Sequence, residues 1–279
     1  LITLPKHQDF VKQFCQANPP VDSARAHSTP AASPTSTPSH VPHASFLNPN
    51  PAVQTFPLAN GQHVYVIDDF VQDPDALVRL AQSVSPQFQT LQGHPYPGPQ
   101  LSLPKEMSAQ IDAYFQQHVR PLLQAGTFLG SYGRFSRVTQ DSSTLDPRQR
   151  ICHRDDSNIA PGQMMSALVH YLFHEPQLGG TVFFKSLMSE ADTQAFLLDA
   201  TTLDGPAFTA KYAITPAYMT QSNPYFEVIG RMAPKWNRAV FYDGSIFHSG
   251  DIQNNNHQAY LTGIGRLTLN AFFKSSKIK

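Results

Sequence analysis

Cysteine is nearly absent: Cys15 and Cys152 are the only two in 279 residues. A secreted domain stapled by disulfides needs more. Cys15 falls in a stretch with little to hold it, so no bridge is expected and Cys152 reads as a reduced, buried thiol. Charge is sparse as well. Charged residues make up 14% of the chain, and 20 basic residues balance 20 acidic ones for a formal net charge of zero. That balance removes the electrostatic case for binding nucleic acid or an anionic membrane. No apolar run reaches the ~20 residues that span a bilayer. The opening stretch "LITLPKHQDFVKQFCQ" lacks the charged start and apolar core of a signal peptide. The expectation is a cytoplasmic protein that binds neither nucleic acid nor membrane, its oligomeric state unread. What the chain does have is 41% hydrophobic and 11% aromatic residues, ample for a sizeable core.

Proline, serine, threonine and alanine crowd residues 19 to 57, which read as a disordered linker: too few large apolar side chains offset the entropy of ordering them. Residues 1–57 are therefore set apart as a poorly ordered leader, and 58–279 as the folded domain. "HVYVIDDF" reads as a strand. "DPDALVRLAQSV" reads as a helix with Asp73 as N-cap and Pro74 in the first turn, burying Leu77, Leu80, Ala81 and Val84. A second helix is predicted from about Pro104 to Gln124, kinked or ended by Pro121. From Phe128 onward short apolar runs alternate with turn signals, an all-β texture as in a sandwich or jelly roll. The long insertion 185–228 is open to two readings: a lid shaping a pocket, or extra strands and surface loops.

The stretch "ICHRDDSNIAPG" carries the chemistry. His153-Arg154-Asp155 matches the H-R-D of a kinase catalytic loop, but Ala160 stands where that loop needs Asn, and no Gly-rich loop or D-F-G occurs. The other reading is a metal-binding H-x-D, in which residues i and i+2 of a strand face one side and Cys152 faces the other. It requires a further histidine, and "RAVFYDGSIFHSGDI" brings His248 at the end of a strand. Two histidines and one carboxylate leave open positions on an ion, the ligand set of non-haem Fe(II) oxygenases. In "GRLTLNAFF", Arg266, Thr268 and Asn270 share one strand face, where an arginine can clamp a dicarboxylate with two hydrogen bonds. His170 and His174 are expected to be structural, Asp156 to be solvated, Asp243 and Asp251 to lie in turns. Tyr132 and Arg134 are candidates to project inward from an early strand.

The order H-x-D, then "YLFHEPQLGGTVFF", then a strand leading to "HS", then R-x-T, resembles the Fe(II)/2-oxoglutarate-dependent dioxygenases, in the middle segment their prolyl 4-hydroxylase-like branch. "VYVIDDFVQDPDALVRLA" and "FEVIGRMAPKWNRAVFYDGSIFHSGD" resemble an uncharacterised bacterial group of such oxygenases. The resemblance runs over about residues 60 to 275. It implies an α+β, mainly β fold: a double-stranded β-helix, or jelly roll, with helices packed on one side. It implies Fe(II) held by His153, Asp155 and His248, with Arg266 and Thr268 binding the far carboxylate of 2-oxoglutarate and Arg238 as the rival cation. O2 would be the oxidant, and a small molecule or peptide would be hydroxylated with release of succinate and CO2. Two other readings stay open: a cupin-like metal enzyme without 2-oxoglutarate, and a non-catalytic jelly-roll binding module.

Overall fold

The computed structural model describes residues 45–90, 95–156, 159–253 and 263–278. Cys15, the leader to residue 44 and residues 254–262 lie outside these. Ten strands form two antiparallel sheets. The larger runs β1 (Val53–Pro57), β2 (His63–Ile67), β8 (Ala239–Asp243), β5 (Gln163–Tyr171), β10 (Leu267–Lys277), β4 (Ala125–Arg137) and β3 (Gln100–Ser102) in spatial order. The smaller runs β7 (Phe226–Met232), β6 (Thr181–Ser186) and β9 (Phe247–Gly250).

Strand alternation sorts the side chains into layers. Leu267, Leu269, Ala271 and Phe273 of β10 join Leu168 and Phe241 in a core beneath two helices, α1 (Pro74–Ser83) and α2 (Lys105–Tyr114). Their neighbours one residue along, Ala167, Val240 and Tyr242, face the other sheet, where Phe183 meets Tyr242 edge-on at 5.2 Å. The outer face of the small sheet presents Val182, Phe184 and Phe247 to α3 (Glu190–Thr202) and α4 (Gly205–Tyr212), which bury Phe196 and Phe208 there. Each fully buried side chain of this size contributes about 1.5–3 kcal/mol.

Asp73 caps α1 as its sequence predicts: its carboxylate accepts from the Ala76 amide at 2.9 Å, and Leu77, Leu80 and Ala81 are buried. Four expectations need correction. The strand β1 and the buried Leu47 lie inside the stretch assigned to the linker, because alternate residues of a Pro-rich edge can still pair on one side with β2. The regular part of the second helix ends at Tyr114 and continues as a π-turn over Phe115–Val119, with Arg120 donating to Phe115 O at 2.8 Å. Pro121 offers no N–H to an α-helical register, and the widened turn precedes it. Helices cover both outer faces, not one. And between the end of β6 and the start of β7 the 185–228 insertion folds as α3 and α4 and adds no further strand among the described residues; the signals were its caps, Ser189 accepting from Asp192 N and Asp204 from Ala207 N. No helix among the described residues is long and apolar enough to cross a membrane.

His170 is structural, as expected. Its Nε2 donates to Asn237 Oδ1 at 3.0 Å, and Asn237 also bonds both the N–H and the C=O of Val71. That side chain stitches the end of β2 to β8 and β5. The His170 Nδ1 has no hydrogen-bond partner, so protonating it adds a buried donor with nothing to receive it. Burial pulls this imidazole down from 6.5 to about 4, against the opposing hydrogen bond to Asn237. A histidine depressed in the folded state stabilises while neutral. The contribution is whole above pH 6.5 and lost as pH falls from there toward 4, on the order of 3 kcal/mol at most. Urea unfolding at pH 7.5 and pH 4.5 should show the wild type losing more stability than His170→Gln over that interval; parallel losses would refute the assignment.

Candidate metal centre

His153 and His248 come together through the backbone. Each donates its amide to the other's carbonyl, at 3.0 and 2.9 Å, an isolated antiparallel bridge that adds residue 153 to the edge of β9. Asp155 is clipped next to it: its N–H donates to Gly244 O at 2.8 Å, in the turn between β8 and β9. The H-x-D therefore sits on a short bridged segment and not within a regular strand. The alternation holds even so. Cys152 and Phe247 pack in the apolar layer with α3 and α4, while His153 lines the cavity and the His248 ring turns toward Asp155.

Their ligand atoms converge. His248 Nε2 lies 3.4 Å from Asp155 Oδ2, and His153 Nε2 lies 3.6 Å from Asp155 Oδ1. One donor atom from each of the three lies within 4.8 Å of the others. The His248 Nδ1 faces Ile246 O at 2.9 Å; a carbonyl only accepts, so the proton is on Nδ1 and the Nε2 lone pair is turned toward Asp155. Asp155 Oδ2 is buried with no hydrogen-bond donor among the described residues. Burial pushes the Asp155 carboxyl up to about 6 and pulls the His248 imidazole down to about 4. A carboxylate oxygen without a donor, beside two imidazole nitrogens, is an expensive arrangement alone and a favourable one around a divalent cation. The donor chemistry, two neutral nitrogens and one oxygen, fits Fe(II). His153 stays half-exposed and leaves one side of the group open.

Arg266 lines the same cavity and is itself buried. Its Nε and one terminal nitrogen donate to Gly179 O and Gly180 O at 3.1 and 2.9 Å, which aims the guanidinium. The "GGT" of the sequence makes this possible. Gly179 has φ +82°, and a Cβ there would lie 1.9 Å from Asp251 O; at Gly180 it would lie 1.9 Å from Met232 O. Thr268 stands two residues along from Arg266, its hydroxyl accepting from Asn270 at 3.2 Å. Arg238, the rival cation, grips Asp68 through Nε at 2.6 Å and Nη2 at 3.1 Å and is not part of the cavity wall.

The cavity measures about 850 Å³. Tyr132 and Arg134 do project into it, and α3 supplies Gln194, Leu197 and Thr201, so part of the insertion walls the cavity. Asp156 pairs with Arg154 at 3.6 Å and Asp251 with Arg231 at 2.6 Å, ion pairs that the sequence left unread. Sequence reasoning also missed Tyr96. This buried phenol reaches Arg266, Thr268 and Ser136, and burial raises its pKa against all three. Its signal is "PYPGP", a tyrosine held between two prolines in a stretch rich in turn residues.

One family profile matches residues 49–273, that of a family of unknown function, DUF6445. No curated protein matches. Among solved structures the chain is similar to EvdO2 from Micromonospora carbonacea var. aurantiaca, with 12% identity, 79% of this chain and 89% of that one covered, and a TM-score of 0.44. It is similar also to a Pseudomonas putida prolyl-4-hydroxylase, with 13% identity, 77% and 94% covered, and a TM-score of 0.40. A third is HygX from Streptomyces hygroscopicus, solved with nickel, 2-oxoglutarate and hygromycin B bound: 12% identity, 78% and 85% covered, TM-score 0.42. Those bound groups belong to that protein.

The backbone contacts at Gly180 cannot yield as a flexible side chain would. Gly180→Ala should therefore cost more than about 3 kcal/mol in chemical denaturation, and a cost below 1 kcal/mol would show that the approach of Met232 O is not needed.

Proposed function

The chain belongs to DUF6445, a family of unknown function, and we propose that it is a non-haem Fe(II)/2-oxoglutarate-dependent oxygenase that hydroxylates a small molecule or peptide. The observation that carries this reading is a cavity lined by His153, Asp155 and the buried, aimed Arg266, with His248 closing the two-histidine, one-carboxylate group 3.4 Å from Asp155. The two facing antiparallel sheets support a double-stranded β-helix core, which we take to begin ahead of residue 58 and to include β1. His153 and His248, through Nε2, and Asp155, through its carboxylate, would hold Fe(II). Bound there, with 2-oxoglutarate and O2, the iron supplies the oxidising power that inserts oxygen into a substrate C–H bond and releases succinate and CO2.

The chain's own residues do the rest. Arg266 anchors the far carboxylate of 2-oxoglutarate, its fork fixed beforehand by the Gly179 and Gly180 carbonyls, with Thr268 and Tyr96 beside it to donate further hydrogen bonds. The Ile246 carbonyl keeps the His248 proton on Nδ1, so Nε2 stays available to the metal. The apolar layer behind Phe247 and Cys152 keeps water from the back of the site. About 850 Å³ leaves room for a small substrate beside the co-substrate.

An anaerobic spectrum with Fe(II), before and after 2-oxoglutarate, tests the reading. A visible charge-transfer band that requires 2-oxoglutarate should appear, and it should vanish in His153→Ala. In Arg266→Ala the 2-oxoglutarate concentration giving half the band should rise about tenfold or more, the worth of a charged hydrogen-bonded pair. Arg238→Ala should leave the band in place. Iron binding without a band would favour the cupin-like enzyme, and absence of metal binding the non-catalytic module.

A further inference from the structure

The wall of the cavity opposite α3 is built by two paired strands, and their register sets out its chemistry in rungs. Ser136 faces Thr268 across the pair, Arg134 faces Asn270, and Tyr132 faces Phe272. All six point to the cavity side, since their neighbours Phe135, Leu269, Ala271 and Phe273 are in the core beneath α1 and α2. Successive rungs are about 7 Å apart. The innermost rung adjoins Arg266 and belongs to the co-substrate end described above. The outer two have no part in that reading.

The outermost rung is an aromatic surface. The Tyr132 and Phe272 rings stack with centroids 4.7 Å apart and planes 23° from parallel. Tyr132 is 46% exposed, so protein covers only part of its ring. Across the cavity stand Leu197 and Thr201 of α3. One rung deeper, the Arg134 guanidinium lies 5.0 Å from the Tyr132 centroid and 5.5 Å from that of Phe272. Its Nη1 donates to Gln100 Oε1 at 2.7 Å, and Gln100 in turn donates to Ser136 at 3.1 Å. The head group is thus held by stacking on one rung and by hydrogen bonds from the next. Both outer rungs line the same cavity as His153 and Asp155.

Charge agrees with this arrangement. The chain is neutral overall, yet the cavity wall carries Arg134, Arg148, Arg154 and Arg266 against Asp155 and Asp156, and one positive charge remains in excess after Glu190 pairs with Arg154 at 3.2 Å. A dication and the dianion 2-oxoglutarate cancel each other, so the excess of positive charge persists in the loaded site. A cleft of one sign concentrates ligands of the other.

We propose that Tyr132, Phe272 and Arg134 form the substrate subsite, and that the substrate is a small arylcarboxylate-like molecule: a flat ring stacked on the Tyr132–Phe272 surface, with a carboxylate one rung deeper on Arg134. The Arg134 guanidinium, 5.0 and 5.5 Å from the two ring centroids, is within reach of a carboxylate carried on a short side arm of such a ring. The subsite deepens the oxygenase reading and depends on it for its chemistry, though not for binding.

The test uses trans-cinnamate and its neutral counterpart cinnamamide, titrated by ligand-observed NMR into the full chain loaded with Ni(II) and 2-oxoglutarate. Cinnamate should bind about tenfold tighter or more, the difference a charge-assisted pair makes. Arg134→Gln should erase the difference while cinnamamide binds as before, which also shows that the variant is folded. Arg134→Lys should keep part of the preference, and Tyr132→Ala should weaken both probes. Equal binding, no binding of either probe, or a preference that survives Arg134→Gln would overturn the proposal. So would a preference lost in Arg266→Gln and kept in Arg134→Gln. Failure of the oxygenase reading shows separately, as absence of Ni(II) and 2-oxoglutarate binding in the same samples. An Arg134-dependent preference that persists in such protein retains the subsite and discards the reading.

Discussion

Strand β10 is hydrogen-bonded along both edges, to β4 and to β5, over nearly its whole length, and the rest of the molecule follows from that double pairing. A strand held on both sides cannot rotate, so its residues must alternate strictly between two environments. One set, Leu267, Leu269, Ala271 and Phe273, locks against α1 and α2, with Phe273 stacked on Phe115 at 4.0 Å. The other set has nowhere to go but the space between the sheets. Burying four apolar side chains on one face thereby determines where three polar and aromatic ones stand on the other. A slip of one residue would exchange the two sets and drive Thr268 and Asn270 into the apolar layer, at a cost of several kcal/mol for unpaired polar groups.

The triad depends on a different kind of restraint. His153, Asp155 and His248 come from two short segments whose side chains alone would not bring them together. Three backbone hydrogen bonds do so, two between residues 153 and 248 and one from Asp155 to Gly244. The small sheet is thus extended by one bridge, and that bridge is where the candidate ligands sit. Asn237 plays a similar part some distance away, holding a left-handed backbone at φ +60° while its side chain ties three segments. In both places short-range hydrogen bonding does what regular pairing cannot, because the chain is turning.

Local chemistry was legible in the sequence, and long-range arrangement only partly so. The α1 cap, its buried stripe and the strands from Phe128 onward follow from periodicity and capping residues. His153, Asp155 and His248 could be grouped because H-x-D has a distinctive spacing and the second histidine follows a strand. Arg266 and Thr268 stood out by the same alternation that orients them. The helices α3 and α4 were missed because their few large apolar residues give little helical periodicity; "EADTQAFLLDATT" mixes polar and apolar positions around the whole helix. Tyr96 was invisible for another reason. It reaches the site from a loop, and nothing in a loop's sequence states which wall it will close. The pairing of Arg238 with Asp68 was likewise out of reach, because the two lie 170 residues apart in the chain.

The rungs of β4 and β10 form a measuring scale of fixed pitch along the wall of the cavity that His153 and Asp155 also line. Whatever lies on that scale is positioned by distance along two rigid strands and not by closure of moving parts. Such a wall lends itself to divergence. An exchange at the outermost rung, where Tyr132 is half-exposed and stacks on Phe272, alters what fits while the register, the buried Arg266 and the helical layer behind the sheet stay as they are. A lineage could therefore change its ligand one rung at a time without refolding.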